Sequence, residues 1–255
     1  MDDPALLRYS RHLLLDDIGI EGQERIGRAR VLVVGAGGLG SPAAIYLVAA
    51  GVGALLLYDG DSVDLTNLQR QILHTTARIG QSKAASAALM LAGLNPEVRV
   101  QARAQRITGD ELGRVLPDVD IALDCSDNRA TRYAINRACV DAGVPLVSGS
   151  ASGFAGQLAV MDRRESACPC YACLFPPGPG EDEACATTGV FAPLTGVIGA
   201  LQAAEALRLL CGFGPSSSGQ LLSIDVRDGV FHRMRFARDP ACPVCAGGAG
   251  ANSGA

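Results

Sequence analysis

Four cysteines set out as two Cys-x-x-Cys pairs, Cys170 with Cys173 and Cys242 with Cys245, share this chain with a glycine-rich turn at Gly35, Gly37, Gly38 and Gly40. Thiolates separated by two residues can both ligate one tetrahedral Zn²⁺, and a second such pair completes a four-sulfur shell with no open position for chemistry. The metal expected here holds structure. The competing reading is a redox dithiol, and Cys168, two residues ahead of Cys170, offers a fifth sulfur. Two pairs favour zinc over two independent redox sites. Because the pairs lie far apart in the chain, the metal would join distant segments and constrain the loop between them.

The glycine turn, Gly35-Ala36-Gly37-Gly38-Leu39-Gly40, follows an apolar strand at 31–34 and opens a helix at 39–50. Its amides can therefore approach phosphate while the helix N-terminus favours negative charge. Asp59 closes a second strand at 55–58, where a carboxylate would accept hydrogen bonds from ribose hydroxyls. A plain tight turn is the bland alternative, and NAD, FAD and ATP all remain open as ligands.

Lys83 is the one lysine in a chain with 21 arginines, and it stands at a helix start. An isolated lysine is ordinarily a solvated surface group, yet a compact ammonium suits a terminal phosphate as a point charge. Asn67 and Arg70, in the stretch Asn67-Leu68-Gln69-Arg70-Gln71, add an amide and a guanidinium without an intervening carboxylate. Together these read as a polyphosphate clamp, against the alternative of a polar loop. After a strand at 119–124, Asp124-Cys125-Ser126-Asp127-Asn128 places acids at the carboxyl edge of the sheet. Asp127 is the candidate Mg²⁺ ligand, while Asp124 is expected to fix backbone geometry; either could instead cap the next helix. Cys185, in a polar loop before 187–189, is the candidate reactive thiol; Cys125, Cys139 and Cys211 read as buried fillers, and His12, His74 and His232 as structural.

The elements that must position these residues come in alternation. A first helix is expected at 4–15, with Asp3 as cap, Pro4 at the tolerated first position and Arg8 and Arg11 on neighbouring sites of one face. Further helices at 82–94, after Thr108 with its capping-box partner Glu111, and at 129–142 alternate with strands at 98–101, 119–124 and 145–148. The fold class is α/β: a Rossmann-like, doubly wound, mostly parallel sheet. After Gly149, strands at 157–161, 220–224 and 230–236, the last two joined by an Asp228-Gly229 turn, extend it antiparallel, with a loop at 163–189 and a helix at 193–211 between. Residues 1–246 are expected to form a single nucleotide-binding domain and residues 247–255 a disordered tail.

Composition narrows the function classes. With 48% hydrophobic residues the chain can fill a sizeable core, and a net charge of -4 without a basic run gives nucleic acid no footprint. The apolar stretch at 189–201 runs into Gln202, Glu205 and Arg208, so no membrane segment is expected. The acidic start, Met1-Asp2-Asp3-Pro4, is unlike a secretion signal and points to the cytoplasm, with the nine cysteines reduced.

On Arg8-Tyr9-Ser10-Arg11, Gly35 to Gly40, Asn67 to Gln71, Lys83, Asp124 to Asn128 and the two cysteine pairs, the chain resembles the ThiF/MoeB/HesA family, bacterial relatives of ubiquitin-activating enzymes. The first turn reads Gly-Ala where many members have Gly-Leu. The resemblance implies ATP-dependent adenylation of the C-terminal Gly-Gly of a ubiquitin-like sulfur-carrier protein, ThiS- or MoaD-like. It also implies a homodimer in which Arg11 reaches the partner's site, Asp59 holds ribose, Asn67, Arg70 and Lys83 bind phosphates with Asn128 nearby, and Asp127 serves Mg²⁺. Cys185 aligns with the thiol that takes part in later sulfur transfer in ThiF-like members, with sulfur delivered by a separate sulfurtransferase or cysteine desulfurase. The alternatives are an NAD-dependent oxidoreductase and a nonenzymatic, zinc-stabilised interaction module.

Overall fold

The computed structural model describes residues 1–165, 167–178 and 189–246; Cys185 and the expected tail at 247–255 lie outside them. Eight strands form one sheet in the order β3-β2-β1-β4-β5-β6-β7-β8. The first five, β1 (Arg30–Val34), β2 (Ala54–Tyr58), β3 (Arg99–Arg103), β4 (Ile121–Asp124) and β5 (Leu146–Ser152), run parallel. The remaining β6 (Ala155–Met161), β7 (Gln220–Asp225) and β8 (Val230–Arg235) continue the sheet antiparallel, as expected.

Side chains alternate across a strand, so each parallel strand feeds two cores. Val31, Val33, Leu55, Leu57, Ile121, Leu123 and Val147 face one side. There they meet α3 (Gly19–Arg28), α4 (Gly40–Ala49), α5 (Lys83–Leu94) and α9 (Ala192–Cys211) through Ile26, Leu47, Leu91 and Ile198. Leu32, Leu56, Ala122 and Leu146 face the other, against Leu112 of α6 (Gly109–Val115) and Ile135 of α7 (Arg129–Ala142), with Leu174 of the one-turn α8 (Tyr171–Leu174), inside the expected loop, packed alongside. Burial on both faces is why these strands read as unbroken apolar runs.

The first helix departs from expectation. It is split into α1 (Asp3–Arg8) and α2 (Ser10–Leu13) at Tyr9, and Asp2 rather than Asp3 caps it, accepting from the Ala5 N–H at 3.0 Å. Tyr9 is diverted into the body of the fold, where its hydroxyl accepts from Asn95 Nδ2 at 2.9 Å. The helix α9, with 20 residues, is long and apolar enough to cross a membrane by length and composition. Here Leu194, Ile198, Ala203 and Ala206 are spent on the core against α4 and the sheet.

Candidate functional site

Strand order turns back between β1 and β4, and ligands of such sheets bind in the crevice at the carboxyl ends of those strands. Gly35 follows β1 with φ +101, and a Cβ there would lie 2.7 Å from the Cys125 carbonyl oxygen. The loops after β1 and β4 thus meet only because that position has no side chain. Gly40 is needed for a related reason, since a Cβ would sit 1.8 Å from the Gly35 carbonyl oxygen and keep α4 from approaching the turn. Gly37 and Gly38, between them, line a cavity of about 570 Å³.

Most of the residues that the sequence singles out border this cavity. Asp59, Arg70, Lys83, Asp127 and Asn128 line it with Gly35, Gly37 and Gly38. Asp59 fixes the turn, accepting from the Ala36 N–H through Oδ2 and from the Asp61 N–H through Oδ1, each at 2.8 Å. Lys83 is buried at the start of α5, and its ammonium donates to Asp61 Oδ2 at 3.0 Å. Burial pushes the Asp61 carboxyl up, but Lys83 and then Arg106 outweigh it and hold the group below the usual carboxylate range. Asn128 caps α7, accepting from the Thr131 N–H at 2.9 Å. Asp127 is exposed past the end of β4.

Three residues are placed elsewhere. Asn67 is not on the cavity wall; its Oδ1 accepts from Arg70 Nη2 at 3.0 Å and so steadies that guanidinium. Gly40 lies behind the turn. Arg11 is exposed on α2, away from the lining. Asp124 is 1% exposed and committed internally: it accepts from Ser126 Oγ at 2.6 Å, Ser148 Oγ at 2.8 Å and Arg132 Nη1 at 3.3 Å. Cys125, Cys139 and Cys211 are buried fillers, and burial raises all three thiols.

Sequence reasoning missed several wall residues. Arg106 follows β3 and reaches Asp61 Oδ1 at 3.5 Å. Ser150, Ser152 and Thr195 close the far side, and nothing in their local sequence marks them. Gln71 carried a signal, since it ends the Asn67–Gln71 stretch. Gln71 lines the cavity. His74 is buried and bonded to the Ala36 carbonyl oxygen and Ser86 Oγ at 2.9 Å each.

The second cluster is Cys170, Cys173, Cys242 and Cys245, whose sulfurs all lie within 4.8 Å of one another. Cys170 to Cys242 is 3.7 Å, Cys170 to Cys173 3.9 Å and Cys173 to Cys245 3.5 Å. A tetrahedral metal with sulfur bonds of about 2.3 Å sets its ligands roughly 3.8 Å apart, so the spacing fits one ion and is too long for disulfides. Asn136 Nδ2 donates to Cys170 Sγ at 3.6 Å and the Asp239 N–H to Cys173 Sγ at 3.5 Å, contacts that favour thiolates. Burial raises the Cys245 thiol, but Arg238 and the neighbouring sulfurs bring it down to about 7. Cys168 is not in the cluster; its thiol contacts the Pro169 carbonyl oxygen.

A glycine turn, fixed cations and a carboxylate around one crevice of a mostly parallel sheet define a nucleotide-binding α/β protein. The chain belongs to the ThiF family, whose family model matches residues 9–244. It is 44% identical over 247 residues to a sulfur carrier protein ThiS adenylyltransferase of Escherichia coli, covering 97% of this chain and 98% of that one. It is 43% identical over 245 residues to a molybdopterin-synthase adenylyltransferase of Salmonella typhimurium, covering 96% and 98%. Among solved structures, E. coli MccB with ATP superposes with a TM-score of 0.81 at 25% identity, over 94% of this chain and 74% of that one. The oxidoreductase alternative has no support from the E. coli and Salmonella relatives, both named adenylyltransferases.

Proposed function

We propose that this chain is a nucleotidyltransferase that uses ATP and Mg²⁺ to adenylate the C-terminal Gly-Gly carboxylate of a ubiquitin-like sulfur-carrier protein, ahead of thiocarboxylate formation for thiamine or molybdopterin biosynthesis. A carboxylate oxygen of the carrier attacks the α-phosphorus, the bond from that phosphorus to the β-bridging oxygen breaks, and pyrophosphate leaves with the electron pair. An acyl-adenylate remains on the carrier. Attacking group and target are both anionic, so cations placed beforehand lower the barrier. No side chain need become covalently attached in this step.

In this reading Gly37, Gly38 and the start of α4 receive phosphate, Arg70 and Lys83 balance its charge, and Asp59 holds ribose. Asp127 is the residue to hold Mg²⁺, which when bound adds positive charge beside the phosphates. A homodimer completes the site, with the partner subunit's Arg11 as a further cation. Zinc in the cysteine cluster closes the fold of residues 1–246. Cys185 acts after adenylation, on sulfur brought by a separate sulfurtransferase or cysteine desulfurase, in the cytoplasm.

The observation that carries this reading is the convergence of Gly37, Gly38, Asp59, Arg70, Lys83 and Asp127 on one cavity. It is tested by carrier-dependent exchange between pyrophosphate and ATP. Lys83→Ala and Asp127→Ala are expected to reduce exchange sharply, and full exchange in both would overturn the mechanism. Intact-mass analysis after mixing the protein, MgATP and each candidate carrier identifies the pathway and whether Cys185 gains an acyl group or a sulfur.

A further inference from the structure

We infer that His74 is a positioning residue that aims the phosphate-binding amides, an inference that rests on ATP being the ligand of this cavity. The ring bridges two of the cavity's structural supports. Its Nε2 lies 2.9 Å from the Ala36 carbonyl oxygen in the glycine turn, and its Nδ1 lies 2.9 Å from Ser86 Oγ on α5, the helix that begins at Lys83. A carbonyl oxygen can only accept, so Nε2 carries the proton; in the neutral ring Nδ1 then accepts from the Ser86 hydroxyl. Burial of His74 favours that neutral state. Ser86 is itself held, its carbonyl oxygen accepting from Arg78 Nη1 at 2.9 Å.

The consequence follows from peptide geometry. The Ala36 N–H is taken by Asp59 and the Ala36 carbonyl by His74, so both peptide planes flanking this residue are fixed. All peptide bonds described are trans, and in a trans peptide the carbonyl and the next N–H point in opposite directions. His74 therefore turns the Gly37 N–H away from the buried ring. Gly37 lines the cavity, and among the described residues no backbone acceptor meets its N–H. An amide so fixed before the ligand arrives is a preorganised donor to an anionic oxygen. Without His74 the Ala36–Gly37 plane is free to rotate, and that donor is lost to phosphate while the surfaces for the base and sugar stay in place.

The test compares ATP with adenosine, which lacks phosphates, by equilibrium titration of the full chain. His74→Ala is expected to weaken ATP binding about tenfold, the scale of one hydrogen bond to a charged group. Adenosine binding should stay within about twofold of wild type. His74→Gln, which restores an N–H donor near the Nε2 position, should recover most of the loss. Ser86→Ala, a smaller change that frees Nδ1, should weaken ATP selectively as well, and it serves if His74→Ala does not fold. Equal loss of ATP and adenosine, or unchanged ATP binding in the His74 and Ser86 variants, overturns the inference while leaving the ATP site standing. A wild-type chain that binds no ATP removes the function proposed above and this inference with it.

Discussion

Lys83 Nζ donates to Asp61 Oδ2 at 3.0 Å, and Arg106 reaches the other oxygen of the same carboxylate at 3.5 Å. The buried lysine is therefore held extended toward the cavity by an acid from the β2 end of the crevice. In the proposed reading a triphosphate entering the site shares this cation with Asp61. Lys83→Ala removes the charge proposed to face phosphate and is expected to lower carrier-dependent exchange by about 100-fold or more. Asp61→Asn keeps the ammonium and loses only its orienting partner, so the cost should stay under about tenfold. Exchange as low in Asp61→Asn as in Lys83→Ala would show that the carboxylate takes a direct part.

His74 also sets a pH dependence of stability. Burial disfavours the imidazolium, Lys83 and Arg78 add to that, and the Ala36 hydrogen bond and Asp59 oppose it; the balance holds the group below its ordinary value of 6.5. On acidification the unfolded chain takes up this proton first. The contribution is whole above about pH 6.5 and is lost progressively as pH falls from there to the folded value. Urea midpoints at about pH 7.5 and about pH 5.5 should differ more in wild type than in His74→Gln. Equal differences would assign the acid limb to other groups.

Much of this site was legible because its parts sit in single segments with paired signals. The helix Arg129–Ala142 falls at its expected bounds, with Gly143 at φ +69 after its last turn, but Asn128 caps it rather than Asp124 or Asp127. The helix Gly19–Arg28 escaped because Ile18 caps it without a side-chain bond and three glycines dilute its period. The break at Tyr9 was hidden because the partner of its diverted side chain, Asn95, is remote in sequence. For the same reason Ser150, Ser152 and Thr195 were not found: they join the cavity only through strand order and the seat of α9.

The glycine turn, a single motif in sequence, divides into two duties in space. A Cβ at Gly40 would fall 1.8 Å from a backbone oxygen, whereas one at Gly37 would meet nothing closer than Gln71 Nε2 at 3.5 Å. Gly40→Ala is expected to destabilise the chain by about 3 kcal/mol or more, since backbone must shift to admit it. Gly37→Ala should leave the melting temperature within about 2 °C of wild type while crowding the phosphate and weakening ATP binding. Thermal melts with and without ATP separate the two, and equal destabilisation by both would make the turn purely architectural.

The cysteine cluster and the cavity share one helix. Asn128, the cap of α7, and Thr131 and Arg132 in its first turn line the cavity, while Asn136 donates to Cys170 Sγ and Arg137 donates to the carbonyl oxygens of Pro243 and Val244. Anchoring the far half of α7 therefore fixes the end that carries Arg132, which donates to the Ser126 carbonyl oxygen at 2.6 Å beside Asp127. Four thiolates around one ion predict one zinc per chain by elemental analysis, unchanged in Cys168→Ser and lost in Cys170→Ser. Losing a structural metal should cost ~3 kcal/mol or more, lowering the melting temperature by roughly 6–12 °C. Because the damage enters through α7, ATP affinity should fall along with zinc content as a strong chelator is titrated. Zinc removal that leaves both melting temperature and ATP affinity intact would separate the cluster from the site.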